Sequence, residues 1–336
     1  MGSTSPILRP LGKNGPLVPR IGFGTMGMGF PCSRSSTPMP DPERLALLDR
    51  AYELGCTFWD ISDFYGDAEE IVGKWIALNP EKRKDLFLAT KFGAVKLPNG
   101  FSFRGDAAYP AEAVEKSLKR LNTDYIDLYY PHRLKEQGRI HHLGLSEVSP
   151  TTLRRAHAVH PIACVQMEYS LFSTEIEDPA HGDGDLLSTC RDLGVAVVAY
   201  SPLSRGLLGG GGELPEKNME LVAAVRRVAD QKGVTVGQVA LAWLLAQGED
   251  VFPIPGTIHP KYLDENFAAM HVELTADESR YIRDLVDKAS VFGDRWPKEH
   301  ALGLFADTPA LEGWRGPEER EAVVGTLILD GESGKA

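Results

Sequence analysis

Four side chains of complementary acid and base character lie along the first half of the sequence: the carboxylate Asp60, the phenol Tyr65, the ammonium Lys91 and the imidazole His132. Together they could deliver a proton and steady a developing alkoxide. Hydride added to a carbonyl carbon leaves an alkoxide that needs a proton, yet a free tyrosine, with a pKa of about 10, donates reluctantly near neutrality. An ammonium about 4 Å from the phenol oxygen, at an effective dielectric of about 20, favours the phenolate by about 4 kcal/mol. That is at most roughly three pKa units, and desolvation of the phenolate opposes part of it. Asp60 would keep Lys91 charged and oriented, and His132 would donate a hydrogen bond to the carbonyl oxygen. Taken singly, each residue has an ordinary reading as a helix cap, a packing group, a solvated strand end or a satisfied polar group.

The combination gains weight from where the four residues fall. Short β-rich runs alternate with amphipathic segments from about residue 20 to residue 290, the pattern of a parallel sheet with helical crossovers. The strands expected are Ile21 to Gly24, Thr57 to Asp60, Leu86 to Lys91, Ile126 to Pro131, His142 to Leu145, Cys164 to Glu168, Ala196 to Tyr200 and Phe252 to Pro255. Their number is the closure number of a (β/α)8 barrel. Asp60 and Lys91 then end the second and third strands, Tyr65 follows the second, and His132 follows the fourth. In a closed parallel barrel those carboxyl ends share the face on which catalytic groups sit.

Helices are expected at Pro42 to Leu54, Ala68 to Leu78, Pro110 to Leu121, Pro150 to His160, Gly184 to Leu193, Asn218 to Lys232, Val236 to Ala246, Pro260 to Met270 and Ala276 to Lys288. The opening segment Leu8 to Pro19, with Asn14 and Gly15 between short apolar runs, reads as a hairpin plugging the barrel bottom. The expectation is one domain over 1–336, with a core of about 8–290 and a 291–336 extension of loop or partly disordered character. One linker is anomalous. Only Arg133 to His141 separate the fourth and fifth strands, so the fourth crossover helix is missing. An extended chain there reaches roughly 30 Å at about 3.3 Å per residue, enough for the return trip. The outer faces of those strands would then form an exposed apolar patch, giving a monomer or weak self-association through uncovered strands.

With 43% hydrophobic and 25% charged residues among 336, the composition is ordinary globular, and a formal net charge of -11 opposes phosphate backbones and anionic lipid. Neither nucleic acid nor a membrane is an expected partner. Cys32, Cys56, Cys164 and Cys190 are scattered, without zinc-ligand spacing, and read as reduced thiols. The start MGSTSPILRP has no apolar signal core, so a cytoplasmic location is expected.

Gly22, Gly24 and Gly27 match a G-x-G-x-x-G dinucleotide fingerprint, with Asp41 or Glu43 near the offset of a ribose-binding acid. Pro31, Pro38, Pro40 and Pro42 follow, however, so no long helix can start at the glycines. A glycine-rich strand end that admits close backbone approach is the favoured reading.

The segments IGFGTMGMG, DISDFYG, ATKFG, DLYYPHR, GLSEVSP, VQMEYSLF, AYSPLSRG and PIPGT with LDEN downstream resemble those of the aldo-keto reductase superfamily, its fungal, plant and bacterial aldehyde- and ketone-reducing branch, over roughly residues 8 to 290. The resemblance implies an oxidoreductase acting on a small carbonyl substrate, with Asp60, Tyr65, Lys91 and His132 as catalytic tetrad and Tyr65 as general acid. It also implies that Ser146 and Gln166 hold the nicotinamide carboxamide and that Tyr200 stacks on the ring. Ser201, Leu203 and Gly206 would follow the pyrophosphate, and Gly256, Thr257, Lys261, Glu265 and Asn266 would surround the adenosine. NADP (as NADPH) is the implied cofactor, no metal is implied, and NAD stays open because Ile258 and His259 stand where relatives place a cation for the 2′-phosphate.

Two further features pull the other way. The short fourth crossover begins beside His132, and Gly209 to Gly212 stand where relatives carry a longer cofactor lid, which predicts weak cofactor affinity. A degenerate, non-catalytic nucleotide-binding barrel is therefore the alternative. A metal-dependent hydrolase using Asp60, His132 and His141 or His142 lacks a supporting carboxylate cluster. Phe23, Met26, Trp59 and Phe92 are expected to line an apolar mouth suited to aromatic or polyketide-derived carbonyls.

Overall fold

Runs such as FWD, FLATK, IDLYY, CVQME and AVVAY are rich in aromatic and β-branched residues, too short for helices, and largely buried on both faces, as parallel strands under helical cover must be. The computed structural model describes residues 5–30, 39–97, 100–103, 109–130, 139–181, 184–204, 208, 219–288 and 304–307. Eight of its strands pair in parallel: β3 (Phe23–Gly24), β4 (Phe58–Asp60), β5 (Phe87–Lys91), β8 (Ile126–Tyr130), β9 (Ile140–Ser146), β10 (Cys164–Glu168), β11 (Ala196–Tyr200) and β12 (Val251–Pro253), adjacent in that order. The sheet curls until its ends meet. Gly22 N–H donates to the Pro253 carbonyl at 3.0 Å, Gly24 N–H to the Pro255 carbonyl at 3.3 Å, and Gly24 bridges Gly256. The glycines of the G-x-G segment thus serve the seam of a (β/α)8 barrel. Only a single turn of helix, α1 (Met26–Gly29), follows them, too short for a dinucleotide-binding unit.

Side chains alternate in and out with the period of two that strands impose. Phe58, Phe87, Leu128, Val198 and Phe252 point inward and share a cluster with Leu11 and Val18 of the hairpin β1 (Leu8–Pro10) and β2 (Leu17–Pro19). The hairpin is the expected plug, but its turn runs over residues 11–16, closed by Leu11 N–H to the Pro16 carbonyl at 2.9 Å, rather than over Asn14 and Gly15 alone. Outward-facing Trp59, Leu88, Tyr129, Leu145 and Val165 join the larger cluster beneath the helices.

The helices follow their sequence signals: α2 (Asp41–Glu53), α3 (Ala68–Leu78), α4 (Tyr109–Arg120), α5 (Pro150–Val159), α6 (Leu186–Leu193), α7 (Met219–Lys232), α8 (Val236–Ala246), α9 (Pro260–Ala268) and α10 (Ala276–Lys288). Ser149 and Asp185 cap α5 and α6, and Thr235 with Gln238 makes a capping box on α8. Unanticipated elements are α1, the hairpin β6 (Ala94–Leu97) and β7 (Gly100–Phe103), and several short 3-10 turns such as Pro80–Asp85.

No helix separates β8 from β9 among the described residues, and the two strands pair directly, Leu128 opposite His142. Among the described residues the expected apolar patch is nevertheless absent. Ile126, Tyr129, Leu143 and Leu145 are buried, because they share an apolar cluster with Val114 and Leu118 of α4, Leu153 of α5 and Phe305. Part of the C-terminal extension is docked. Ala306 N–H donates to the Glu147 carbonyl at 2.8 Å, and Ser149 Oγ donates to Asp307 Oδ1 at 2.5 Å. The remainder of 291–336 lies outside the described residues. Among the described residues no helix is long and apolar enough to cross a membrane.

Candidate active site

At the carboxyl ends of β4 and β5 the backbone is pinned before any side chain acts. Ile61 N–H donates to the Ala89 carbonyl at 2.8 Å and Asp63 N–H to the Lys91 carbonyl at 3.0 Å, carrying the sheet pairing beyond the strands. Thr25 N–H and Oγ1 both donate to the Asp60 carbonyl at 3.0 Å, tying the first strand end to the second. Tyr65 sits in the tight turn that starts α3, where Ala68 N–H donates to its carbonyl at 3.0 Å. Gly29 packs so closely here that a Cβ on it would stand 1.6 Å from the Tyr65 carbonyl oxygen. The last glycine of IGFGTMGMG thus lets α1 press the Tyr65 turn into place.

Asp60 and Lys91 point into the barrel mouth and form an ion pair of 2.5 Å between Nζ and Oδ1. The ammonium also donates to the Ile61 carbonyl at 2.6 Å and lies 4.9 Å from the centre of the Tyr65 ring. On its other oxygen Asp60 accepts from Gln166 Nε2 at 2.7 Å. The structure therefore brings Asp60, Tyr65 and Lys91 together, while His132 lies outside the described residues.

The electrostatics differ from the pairwise expectation in one respect. Burial pushes the Tyr65 phenol above its ordinary value, Lys91 pulls it down and Asp60 pushes it up again, for a net rise where the isolated ammonium predicts a fall. The reason is that Asp60, in contact with the ammonium, cancels much of its field at the phenol, while the phenolate would lose its hydration. Burial opposes the charge on Lys91 as well, but Asp60 and Tyr65 outweigh it and hold the lysine pKa above its usual value. A protonated phenol beside a firmly charged ammonium is the result.

The residues expected around a dinucleotide are spread over the same rim. Ser146 is exposed at the end of β9, in register with Gln166 on β10. The Gln166 amide nitrogen, expected on the carboxamide, is here committed to Asp60 and to Tyr130 Oη at 3.0 Å. Tyr200 is half-buried at the end of β11, its hydroxyl donating to Glu147 Oε1 at 2.8 Å, which fixes the ring plane. Ser201 and Ser204 take left-handed backbone angles, φ 48° and 51°, and Ser204 N–H donates to the Ser201 carbonyl, turning the chain sharply past Leu203. Gly256 lies on the barrel seam, and Thr257 Oγ1 accepts from His259 N–H at 3.1 Å. Leu203 and Glu265 both border Gly237 at the start of α8, where Glu265 Oε1 accepts from Thr235 Oγ1 at 2.6 Å. Asn266 is buried, and Lys261 is exposed in the first turn of α9. An aromatic face, hydroxyls and glycine-flanked amides along one rim fit a nicotinamide dinucleotide. Gly206 and the shortened lid, 209–212, lie outside the described residues.

The apolar mouth is not built as expected. Phe23 and Trp59 are fully buried and belong to the outer cluster, and Phe92 stacks on Tyr129 at 5.3 Å, because the strand period turns them away from the interior. Of the four residues expected there, Met26 stays 56% exposed, and Phe30, which was not anticipated, is 37% exposed beside Tyr65. The Phe30 ring meets Tyr65 edge-on at 6.4 Å and Phe64 at 6.2 Å.

Sequence reasoning also passed over a layer behind the site. Glu69 is buried, accepting from Thr90 Oγ1 at 2.7 Å and from Arg120 Nε at 2.6 Å. Asp63 lies close enough for burial and the Glu69 charge to push its carboxyl up to about 7, against Arg120 and Lys91. Two acids in the segment DISD were the visible signal for Asp63. Tyr130, on the inward parity of β8, had none beyond that parity.

The model of the family described as "Aldo/keto reductase family" matches residues 20–287. The chain is 41% identical over 334 residues to the Schizosaccharomyces pombe aldo-keto reductase yakc, named for NADP(+), covering 88% of this chain and 96% of that protein. It is also 41% identical over 341 residues to the Strobilurus tenacellus aldo-keto reductase str7, covering 90% and 98%. Among solved structures, a thermostable aldo-keto reductase with the inhibitor epalrestat superposes with TM-score 0.67 at 32% identity, covering 83% of this chain and 99% of that one. A Bacillus halodurans aldo-keto reductase in its holo form gives 0.68 at 26% identity, covering 85% and 98%. With eight parallel strands closed into a ring, a phenol, ammonium and carboxylate gathered at its carboxyl rim, and a family match over most of its length, the chain belongs to the aldo/keto reductase family.

Proposed function

We propose that the protein reduces the carbonyl of an aldehyde or ketone to an alcohol with NADPH, Tyr65 being the general acid. The observation that carries this reading is the contact set at the rim, with Lys91 paired to Asp60 at 2.5 Å and lying 4.9 Å from the Tyr65 ring. A nicotinamide held at the rim by Ser146, Gln166 and Tyr200 would supply the hydride that the carbonyl carbon takes up. Tyr65 gives its phenolic proton to the carbonyl oxygen as negative charge builds there, and Lys91 stabilises the phenolate left behind. Asp60 keeps Lys91 charged and aimed. His132, two residues past the end of β8, donates a hydrogen bond to the same oxygen.

Ser146, Gln166 and Tyr200 would hold the nicotinamide end. Ser201, Leu203 and Gly206 would follow the pyrophosphate, and Gly256, Thr257, Glu265 and Asn266 the adenosine. Lys261, in the first turn of α9, has the charge for a 2′-phosphate, aided by the helix N-terminus. The NADP(+) in the name of the yeast relative supports NADPH over NADH. Met26, Phe30 and Phe64 support substrates with an apolar or aromatic flank.

The test is NADPH oxidation with a panel of aromatic and aliphatic aldehydes and ketones, comparing wild type with Tyr65→Phe. Wild-type turnover is expected, with a loss of roughly 100-fold or more when the hydroxyl is removed. Folded protein that binds NADPH yet turns over no carbonyl would point to a non-catalytic barrel. Equal rates for the two proteins would remove Tyr65 from the chemistry.

A further inference from the structure

Beneath the mouth, the barrel interior holds a polar group that the proposed reaction does not use. Tyr130 lies directly opposite Lys91 in the β5–β8 ladder, is 5% exposed, and presents its ring 5.6 Å from the Lys91 ammonium. Its hydroxyl accepts from Gln166 Nε2 at 3.0 Å, the same nitrogen that donates to Asp60 Oδ2 at 2.7 Å. A primary amide has two N–H groups and a carbonyl that a half-turn would exchange. With Asp60 as sole partner, nothing would fix the amide plane. With the tyrosine oxygen taking the second hydrogen, the nitrogen faces the carboxylate and the carbonyl faces away from it.

The surroundings are arranged around that ring. A Cβ on Gly144 would stand 2.8 Å from both Cδ1 and Cε1 of Tyr130, so the glycine of GLSE clears the space the ring occupies. The Cys164 thiol contacts the hydroxyl from below at 3.8 Å and, pushed up to about 12 by burial, stays a neutral donor. The groups facing Asp60 among the described residues are Lys91 from β5, Tyr65 from the turn after β4, Tyr130 from β8, whose hydroxyl also hydrogen-bonds the carboxylate, and Gln166 and Cys164 from β10.

We infer that Tyr130 is a positioning residue for the reaction: its hydroxyl, directly and through Gln166, fixes the Asp60 carboxylate that in turn aims the Lys91 ammonium at Tyr65. This rests on the reading of Tyr65 as the acid. An interior tyrosine kept only for packing would use its ring and leave its hydroxyl dispensable to turnover.

The experiment compares wild type, Tyr130→Phe, Gly144→Ala and Tyr65→Phe in NADPH oxidation at saturating cofactor and aldehyde from about pH 5 to 9. For Tyr130→Phe the expected result is a roughly ten-fold fall in kcat with KM for NADPH changed less than about two-fold. The acid limb of its kcat profile should move up by about half a unit or more, because a carboxylate that loses a hydrogen-bonded partner protonates at higher pH. Its melting temperature should stay close to that of wild type. Gly144→Ala, which displaces the ring but keeps the hydroxyl, should shift the limb in the same direction. Wild-type kcat and limb in Tyr130→Phe overturn the inference, as does a loss of kcat with an unmoved limb. Should Tyr130→Phe not fold, a wild-type profile in Gly144→Ala overturns it. If Tyr65→Phe retains turnover, the reading of the acid itself falls and takes this inference with it; if it does not, the result on Tyr130 stands alone.

Discussion

Asp63 stands between Asp60 and Tyr65 in the chain, and its Oδ1 is buried without a hydrogen-bond partner among the described residues. Burial first, then Glu69, push its carboxyl from an ordinary 3.8 up to about 7, while Arg120 and Lys91 pull it down. The sign follows from linkage: a folded-state pKa above the unfolded one favours the neutral acid in the native protein. That contribution is complete below about pH 4 and is lost as pH rises through about 7. Asp63→Asn should therefore raise the melting temperature relative to wild type above pH 7, with the advantage vanishing near pH 4. Discounted for partial exposure, the gain is on the order of 1–2 kcal/mol. Calorimetry across that range checks it; a constant difference between the two proteins would show that the charge of Asp63 is already compensated. The sequence displayed the acid but not its setting, since its Glu69 and Arg120 neighbours come from α3 and α4.

At the scale of elements, strands with dense β-branched and aromatic content and helices with caps were readable nearly to the residue. β10, β11, α3, α8 and α10 match their expected bounds because strong local signals end them. The hairpin of β6 and β7 was not anticipated although short apolar alternations flank Asn99 and Gly100 in the chain, because it stands outside the alternation of strand and helix. The short helix α1 has no propensity signal at all, being a Met and Gly turn held by its contact with Tyr65. The α5 N-terminus joins local and distant structure. Ser149 Oγ accepts from Thr152 N–H at 3.0 Å while donating to Asp307. Ser149→Ala should cost about 1 kcal/mol and lower the melting temperature by roughly 2–4 °C. It should also speed proteolytic cleavage beyond α10, because it removes an anchor of the C-terminal extension. Unchanged cleavage kinetics would leave the anchoring to the backbone bonds of Ala306.

For the molecule as a whole, the deciding fact is that the ring closes although only residues 131–139 join β8 to β9. Parallel strands of one barrel need their outer faces covered, and neighbouring helices with Phe305 supply part of that cover here. A hydrophobic dye should bind no more strongly than to other folded barrels of this size, and light scattering should show no association that grows with exposure of β8 and β9. Strong dye uptake by native protein would mean that this cover opens in solution.

The order of strands and helices, the parallel closure and the placement of Asp60, Tyr65 and Lys91 at strand ends followed from the chain alone, because periodicity and caps are local and barrel topology leaves few alternatives. What the tertiary structure decided were quantities that depend on neighbours distant in sequence. Tyr65 rises in pKa rather than falling because burial outweighs the pull of Lys91 and Asp60 adds to the rise. Phe23 and Trp59 turn away from the mouth because strand parity points them outward, and Phe30, with no signal in the chain, meets Tyr65 there. Gln166 faces Asp60 and Tyr130 because three separate strands converge on one interior layer. Local preference chooses an element, but only packing determines which charges and rings it meets.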